Sequence, residues 1–473
     1  MSRSEFDWCY EPGAEFGRGP SAFHEVPLAS FDASRAVLRF PCSEGPPPLA
    51  AEKEAMVELK HERCAGLDVH KETVVACVRV VADGKASHEV RTFGTTTGAL
   101  IELSEWLASS AVRTVAMEAT GVYWRPVWHV LEEDFDLILA NARAVKGLPG
   151  RKTDVNDATW LADLLAHDLI RGNFVPERPM AELRDVLRTR KQFAREKTRH
   201  TQRIQKILED ANIKLDSVIS NIVGVSGRRI LRAIIAGQAS EQFLAGLGSS
   251  RLHATRKELA AACRGFSRDH HRFLLRVELD EVEHIEGVIA ELEAQAAKLL
   301  EPFRGAVEML MEIPGVGELA AQAIISEIGL DMSRFPSDAH LISWAGLCPR
   351  SDESAGKKRS TRIRDGAPWL REVLVQAAWS ATRAKGSYLR AYFYRLRGRR
   401  GPLKAIVAIA RTILQSVFHM LRTGEAYREL GEQYLDNLNQ TRTVKHLVNR
   451  IQRLGYAVNI TALSLPEPAG SFC

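Results

Sequence analysis

The 473-residue sequence has no paired cysteines, no long uninterrupted apolar run and no glycine-rich phosphate loop, and each absence removes a class of protein. Its seven cysteines, at 9, 42, 64, 77, 263, 348 and 473, are odd in number and never spaced Cys-x-x-Cys. That pattern argues against a disulfide framework or a cysteine zinc site and points to a reducing, cytoplasmic setting. The best apolar run, 405–421, is broken by Arg411 and His419. It falls short of the roughly 18 uncharged residues that a membrane span needs, so no membrane partner is expected. The stretch Gly66-Leu67-Asp68-Val69-His70 lacks the following glycines whose amides would cradle nucleotide phosphates, which argues against a nucleotide kinase.

Hydrophobic content of 45% and charged content of 26% are ordinary for a globular chain of two to four domains. The net charge of +5 is unevenly placed. Residues 350–404 carry fifteen Lys and Arg against four Asp and Glu, a net +11 that leaves the rest of the chain at −6. One segment therefore holds the polyanion-binding character.

Residues 1–60 are rich in Gly, Pro, Ser and Glu, and Gly45-Pro46-Pro47-Pro48 forbids regular structure there. We expect a disordered extension, with Met56 as an alternative start. From Cys64 the pattern changes to short β-branched runs with a turn at Asp83-Gly84, then a helix capped at Thr97. A fourth strand ending at Glu118 follows, then a helix, a fifth strand, a loop with Arg143, Lys146, Arg151 and Lys152, and a helix opening at Asp154. In that last helix Ala158, Leu161, Leu164, Leu165 and Leu169 recur at helical spacing, and Asp154 and Asp157 share one face of its first turn. A solvated helix start would explain those two acids by themselves, because Asp is favoured at the positive end of the helix dipole. Asp68 and Glu118, however, lie in apolar strands where a lone carboxylate is costly. Four converging acids would repel one another unless a hard cation sat between them, and Mg2+ suits carboxylate oxygens combined with substrate phosphates. The order β-β-β-α-β-α-β-α over residues 61–178 resembles the ribonuclease-H-like, resolvase-like α/β fold.

A charged helix from Pro179 to Leu215, with Leu183, Leu187, Phe193, Thr201, Ile204 and Leu208 as its seam, and a second from His271 to Leu300 suggest an antiparallel helical stalk over 179–305. Residues 306–425 form a mostly α segment, and 426–473 a helical tail expected to dock on the core. Ile313-Pro314-Gly315-Val316-Gly317 resembles the hairpin of helix-hairpin-helix domains, in which glycines such as Gly315 and Gly317 let the backbone approach a phosphate. Such a turn is also common as plain structure. Ser354 precedes an Ala-Gly step beside Lys357, Lys358 and Arg359, cations able to hold a phosphate while a hydroxyl attacks it. Ser351 and Ser360 are the weaker serines of this segment, and a basic surface loop is the plain alternative. Residues 387–405 interleave Tyr388, Tyr392, Phe393 and Tyr394 with Arg397, Arg399, Arg400 and other cations, a mixture suited to RNA or distorted DNA as well as to a helix with one buried aromatic face.

Five motifs now stand in order: GLDVHK at 66–71, MEATGVYW at 117–124, KTDVNDA at 152–158, IPGVG at 313–317, and AGLCPR at 345–350 followed by SAGK and a basic turn with Arg362 and Arg364. Together they resemble the DEDD-type transposases of bacterial insertion sequences, the bridge-RNA-guided recombinases with a resolvase-like domain and a C-terminal transposase domain. The resemblance implies that Asp68, Glu118, Asp154 and Asp157 form the tetrad holding Mg2+, and that Ser354 is the nucleophile. It further implies DNA and a structured guide RNA as partners, and a homo-oligomer, dimer or tetramer, in which acids and serine come from different protomers. Glu353 departs from the family pattern, where a second small residue often precedes the serine. A hydrolytic junction-cleaving nuclease using the acids and water, and a noncatalytic nucleic-acid-binding relic, are the two rival readings.

Overall fold

The computed structural model describes residues 59–118, 121–140, 154–170, 172–238, 240–349, 352–354, 357–360, 362–438 and 440–461, with the backbone alone at 154–156, 352–354 and 357–359. The expected extension over residues 1–60 lies outside them except for its last two positions. Strands β1 (Arg63–Val69), β2 (Thr73–Ala82) and β3 (Lys85–Gly94) form an antiparallel meander. Asp83 and Gly84 join β2 to β3 with φ of 52° and 73°, the left-handed pair that a two-residue hairpin turn requires. Helix α1 (Thr97–Ser109) follows, capped not by Thr97 but by Thr96, whose extended backbone leaves its hydroxyl free to accept from the Ala99 amide. Then come β4 (Thr114–Glu118), α2 (Trp124–Leu131), β5 (Asp136–Ala140) and α3 (Asp154–Ala166).

The sheet order is β3-β2-β1-β4-β5, with β1, β4 and β5 parallel. Alternation along each strand sends side chains to opposite faces. Leu67, Val69, Val115 and Met117 pack under α1 and α2 with Leu103, Val127 and Leu131. Cys64 and Ala116 face the other way, into a core shared with Leu161 and Leu165 of α3. In α3 the expected stripe holds for Ala158, Leu161, Leu164 and Leu165. Leu169 departs from it: the helix ends at Ala166, so the helical period no longer applies and the side chain is exposed.

Helices α4 (Arg178–Asp210) and α9 (Asp269–Leu300) run antiparallel, in the register of Arg190–Glu293, Lys197–Glu286, His200–Glu278 and Asp210–His271. Between them, α5 (Leu215–Val218), α6 (Val225–Ile235), α7 (Glu241–Gly246) and α8 (Arg256–Cys263) cover the far end of the pair. Ile204, Leu208, Leu275, Leu279 and Val282 are buried there with Ile230, Leu231 and Ile234. At the near end Leu183, Leu187, Ala296 and Leu300 belong to the C-terminal core. Phe193 and Thr201, expected within the seam, are only half-buried, because ion pairs rather than apolar contacts bridge the middle of the hairpin.

The C-terminal part is mostly helical: α10 (Arg304–Met311), α11 (Glu318–Ile328), α12 (Asp338–Trp344), α13 (Pro368–Ala381), α14 (Tyr388–Arg400) and α15 (Pro402–Thr423), with a small hairpin of β6 (Asp352–Ser354) and β7 (Lys357–Ser360). Helix α15 is long and apolar enough to cross a membrane by composition, yet it buries Ile406, Ile409, Ile413, Leu414, Val417 and Phe418 as the central helix of this core. Short α16 (Tyr434–Asn437) and α17 (Gln440–Arg453) close the described chain. The tail docks only in part. Tyr427 packs on the C-terminal core and Tyr434 meets Tyr388 edge to face, whereas no residue of α17 is buried and its Val444, Leu447 and Ile451 are exposed.

Candidate active site

Two buried acids lie side by side at the C-terminal ends of two adjacent inner strands. The parallel register of β1 and β4 pairs Leu67 with Met117, so the next positions, Asp68 and Glu118, are neighbours on the face opposite the α1 and α2 core. Asp68 is 5% and Glu118 9% exposed. Helix α3 packs directly over this face: a Cβ on Gly66 would stand 2.6 Å from the Ala162 amide and would also overlap the Ala158 carbonyl. The Cys64 thiol, two residues back along β1, meets the Ala162 carbonyl, and the Ala166 carbonyl accepts from the Lys60 amide. Helix α3 therefore runs antiparallel to β1. Four helical residues, about 6 Å, match two strand residues, about 6.6 Å. Stepping from Gly66 to Asp68 thus moves along α3 toward its first turn, where Asp154 and Asp157 lie. The Asp157 side chain is half-buried, whereas at Asp154 the backbone position alone is described.

His70 adds a group that the motif reading passed over. Its Nε2 lies 3.1 Å from Asp68 Oδ2. Its position two residues after Asp68, just past the end of β1 at Val69, was the only sequence signal for it. Cys64 and Cys77, also beneath α3, are ill suited to ligation or attack: burial pushes the Cys64 thiol up to about 11 and raises Cys77 as well.

Ser354 ends β6 and pairs across the hairpin with Lys357, while Glu353 pairs with Lys358. The base of this hairpin is pinched. Gly346 has φ +73°, and a Cβ there would come within 2.8 Å of the Arg364 carbonyl; Gly366 packs against the same backbone. A bridge between Pro349 and Ile363 and the Arg364 amide donating to the Cys348 carbonyl complete the pinch. The backbones of Lys357, Lys358 and Arg359 lie in β7, and Arg362 and Arg364 are exposed just beyond it. Arg397, Arg399 and Arg400 are exposed in the last turn of α14, with Arg397 and Arg390 both over the ring of Tyr394. Arg143, Lys146, Arg151 and Lys152 lie outside the described residues.

The two glycines of the 313–317 turn part ways. Gly315, at φ +91°, lies so close to α13 that a Cβ would approach Ala381 Cα to 2.8 Å, which accounts for the glycine through packing. Gly317 faces open space immediately before α11. Helix α11 in turn anchors the stalk. Glu327, 3% exposed, accepts two 2.8 Å bonds from Arg188, and Arg184 donates to the Ser326 and Glu327 carbonyls at 2.9 and 2.8 Å. Burial pulls Arg184 down to about 10, which leaves it charged at neutral pH.

Among the described residues, the group of three potential ligand atoms within 4.8 Å of one another is Asp210, His270 and His271, not Asp68, Glu118 and Asp157. It acts as a clasp at the stalk end. The Arg268 amide donates to His271 Nδ1, so Nε2 carries the proton and donates to Asp210 at 2.7 Å, and both ring nitrogens are taken. The His271 hydrogen bond holds the Asp210 carboxyl below its usual range.

Comparison with known proteins adds a family. A family model for the IS110 type of DEDD transposase, described as "Transposase", matches residues 65–213, from β1 through the end of α4. A second, described as "Transposase IS116/IS110/IS902 family", matches residues 307–394, which include the Ser354 hairpin. A Sinorhizobium fredii protein, y4pF/y4sB, provisionally named a transposase, is 31% identical over 129 residues, 26% of this chain and 33% of its own length. A 43.6 kDa protein of insertion element IS110 in Streptomyces coelicolor is 33% identical over 138 residues, 29% of this chain and 33% of its own length. The chain spans about a third of the length of each of these two relatives.

Proposed function

We propose that this chain, which belongs to the IS110/IS116/IS902 family of DEDD transposases, cuts and exchanges DNA strands of an insertion sequence. The observation that carries the reading is the adjacency of buried Asp68 and Glu118, the positions next after the Leu67–Met117 pair on parallel β1 and β4, with the helix bearing Asp154 and Asp157 packed over that face. The sheet order and the two parallel crossovers support a ribonuclease-H-like domain. The donor set is entirely carboxylate oxygen, hard and anionic, and so fits a divalent cation such as Mg2+. Asp68, Glu118, Asp154 and Asp157 would hold it, and when bound it would supply charge stabilisation for the attacking and leaving oxygens.

Ser354 is the proposed nucleophile. Its Oγ bonds to the scissile phosphorus as the bond to the leaving deoxyribose oxygen breaks. Attack on that phosphoserine by a strand-end hydroxyl then re-forms a phosphodiester and frees the serine. The hairpin register sets Ser354 opposite Lys357, and Lys357, Lys358, Arg359 and the following Arg362 and Arg364 would hold the phosphate. The acids and the serine would come from different protomers of a dimer or tetramer. A structured RNA would select the DNA, held in part by the basic, tyrosine-bearing α14.

The test is strand exchange on a plasmid carrying the element's ends, with Asp154→Ala and Ser354→Ala. Each substitution should reduce exchange by at least 100-fold, the scale expected for loss of a nucleophile or a charge-stabilising group. Wild type should also leave a denaturation-resistant protein–DNA adduct that Ser354→Ala lacks. Cleavage without an adduct, undiminished in Ser354→Ala, would identify the hydrolytic nuclease instead.

A further inference from the structure

The proposed chemistry does not use a cleft found among the described residues. It lies between α2 and the start of α4, has a volume of about 320 Å3, and is walled by Trp124, Trp128, Phe174 and Pro176. That volume is at the small end of ligand pockets, which run from about 300 to 1,000 Å3. Trp124 and Trp128 meet edge to face at 5.7 Å, forming an aromatic corner.

The charges around this corner decide what it can take. Arg125, Arg178 and Arg184 are matched by Glu132, Glu182 and Asp185. Each cation is already engaged: Arg125 by Asp185 at 2.9 and 3.3 Å, Arg178 by Glu182 at 3.5 Å, and Arg184 by the Ser326 and Glu327 carbonyls. Among the described lining residues every guanidinium already has an acid or carbonyl partner, so this lining does not single out an anion. A neutral heteroaromatic ring suits it better, stacking on tryptophan with its edge toward polar groups. Glu132 stands ready at that edge. It accepts from Trp128 Nε1 at 3.0 Å and lies 3.3 Å from His129 Nδ1, and a carboxylate keeps lone pairs for further donors such as an amino group or ring N–H.

Topology relates the cleft to the acids. Helix α2 begins at Trp124, six residues after Glu118 ends β4, so the tryptophan end of the cleft lies toward the same strand ends as Asp68 and Glu118, on the opposite face of the sheet. We infer that this cleft receives one unpaired nucleobase of the DNA substrate, turned out of the helix toward the strand ends that carry the acids. Such an extruded base is read by stacking and edge hydrogen bonds while its phosphate remains outside. The inference rests on the transposase reading, which makes DNA the ligand, and it goes beyond that reading in naming the subsite.

The experiment uses the full-length protein and DNA duplexes carrying a single unpaired 5-iodouracil, a photoreactive base that crosslinks to adjacent aromatic rings. Crosslinked peptides should contain Trp124 or Trp128. Trp128→Leu should bind the duplex with the unpaired base about tenfold more weakly, a loss within the range of one base–aromatic stack, while its affinity for the fully paired duplex stays unchanged. Trp128→Phe should restore most of the difference. If Trp128→Leu fails to fold, Glu132→Gln should lower the preference for the unpaired base, and the wild-type crosslinks still decide the question. Bound DNA with crosslinks only on other surfaces overturns the cleft and leaves the transposase reading standing. Loss of all DNA binding by the wild type overturns both. A free mononucleotide that competes as well as the DNA would mark a soluble-nucleotide site and also overturn the inference.

Discussion

At Gly66 the missing side chain decides where an entire helix sits. A methyl group there would overlap the backbone of α3 at Ala158 and Ala162, and backbone cannot yield as a flexible side chain can. Gly66→Ala should therefore lift α3 from β1, with an overpacking penalty of about 1–3 kcal/mol. The denaturant midpoint should fall accordingly. Because α3 bears Asp154 and Asp157, strand exchange should fall further than stability does. A variant with wild-type midpoint and activity would mean that α3 is not held against β1 at this point. Asp68 and Glu118 were legible in the sequence because a carboxylate inside a β-branched run is conspicuous. Gly66 was not, since its spacing to neighbours says nothing about which distant helix approaches it. His70 was less legible, because it lies just past the end of β1 at Val69, where strand alternation no longer assigns a face.

Among the elements, the stalk shows how far periodicity carries. The seam residues Leu183, Leu187, Ile204 and Leu208 were readable at helical spacing, and all four are buried. Periodicity could not show that they serve two separate cores, or that the stretch between them is held by pairs such as Arg190–Glu293 and Lys197–Glu286. Several of the cations of this helix are engaged by acids of α9, α11 and α13. Arg188 shows the strength of that engagement. It spans α4 and α11 through two bonds to Glu327, and its guanidinium also lies 5.5 Å from the centroid of the Trp369 ring, shared with Lys191 and Arg195. Arg188→Ala leaves Glu327 buried, with the Arg184 Nε 3.8 Å away as a weaker counter-charge. Removing one partner of a fully buried pair costs about 3–5 kcal/mol. Arg188 is 30% exposed, so solvent screening brings the expectation down to about 2–3 kcal/mol. Thermal unfolding of Arg188→Ala against Glu327→Gln checks this, the second being milder because an amide tolerates burial better than a lone carboxylate. Equal and negligible losses would mean that the pair does not fasten the stalk.

Across the molecule, charge is the feature that sequence reported most faithfully, since a sum over residues needs no fold. The segment 350–404 carries +11 and the rest −6. What the sum could not supply was which cations remain uncommitted once the chain is folded. On the stalk, burial and pairing use many of them. In the last turn of α14, Arg397, Arg399 and Arg400 stay exposed, next to a tyrosine with arginines over its ring. If these three contact backbone phosphates, each releases condensed counterions on binding. The logarithm of affinity should then fall with the logarithm of salt by roughly 0.9 per contact on duplex DNA, or 0.7 on single strands. Replacing all three with Gln should flatten that slope by about 2–3, weaken binding at 50 mM salt more than at 200 mM, and do so alike for all sequences, because phosphate contacts carry no base identity. Binding isotherms across that salt range give the answer. An unchanged slope with intact folding would place the nucleic-acid surface elsewhere on the segment, with the exposed Arg362 and Arg364 beside the serine hairpin next to be tested.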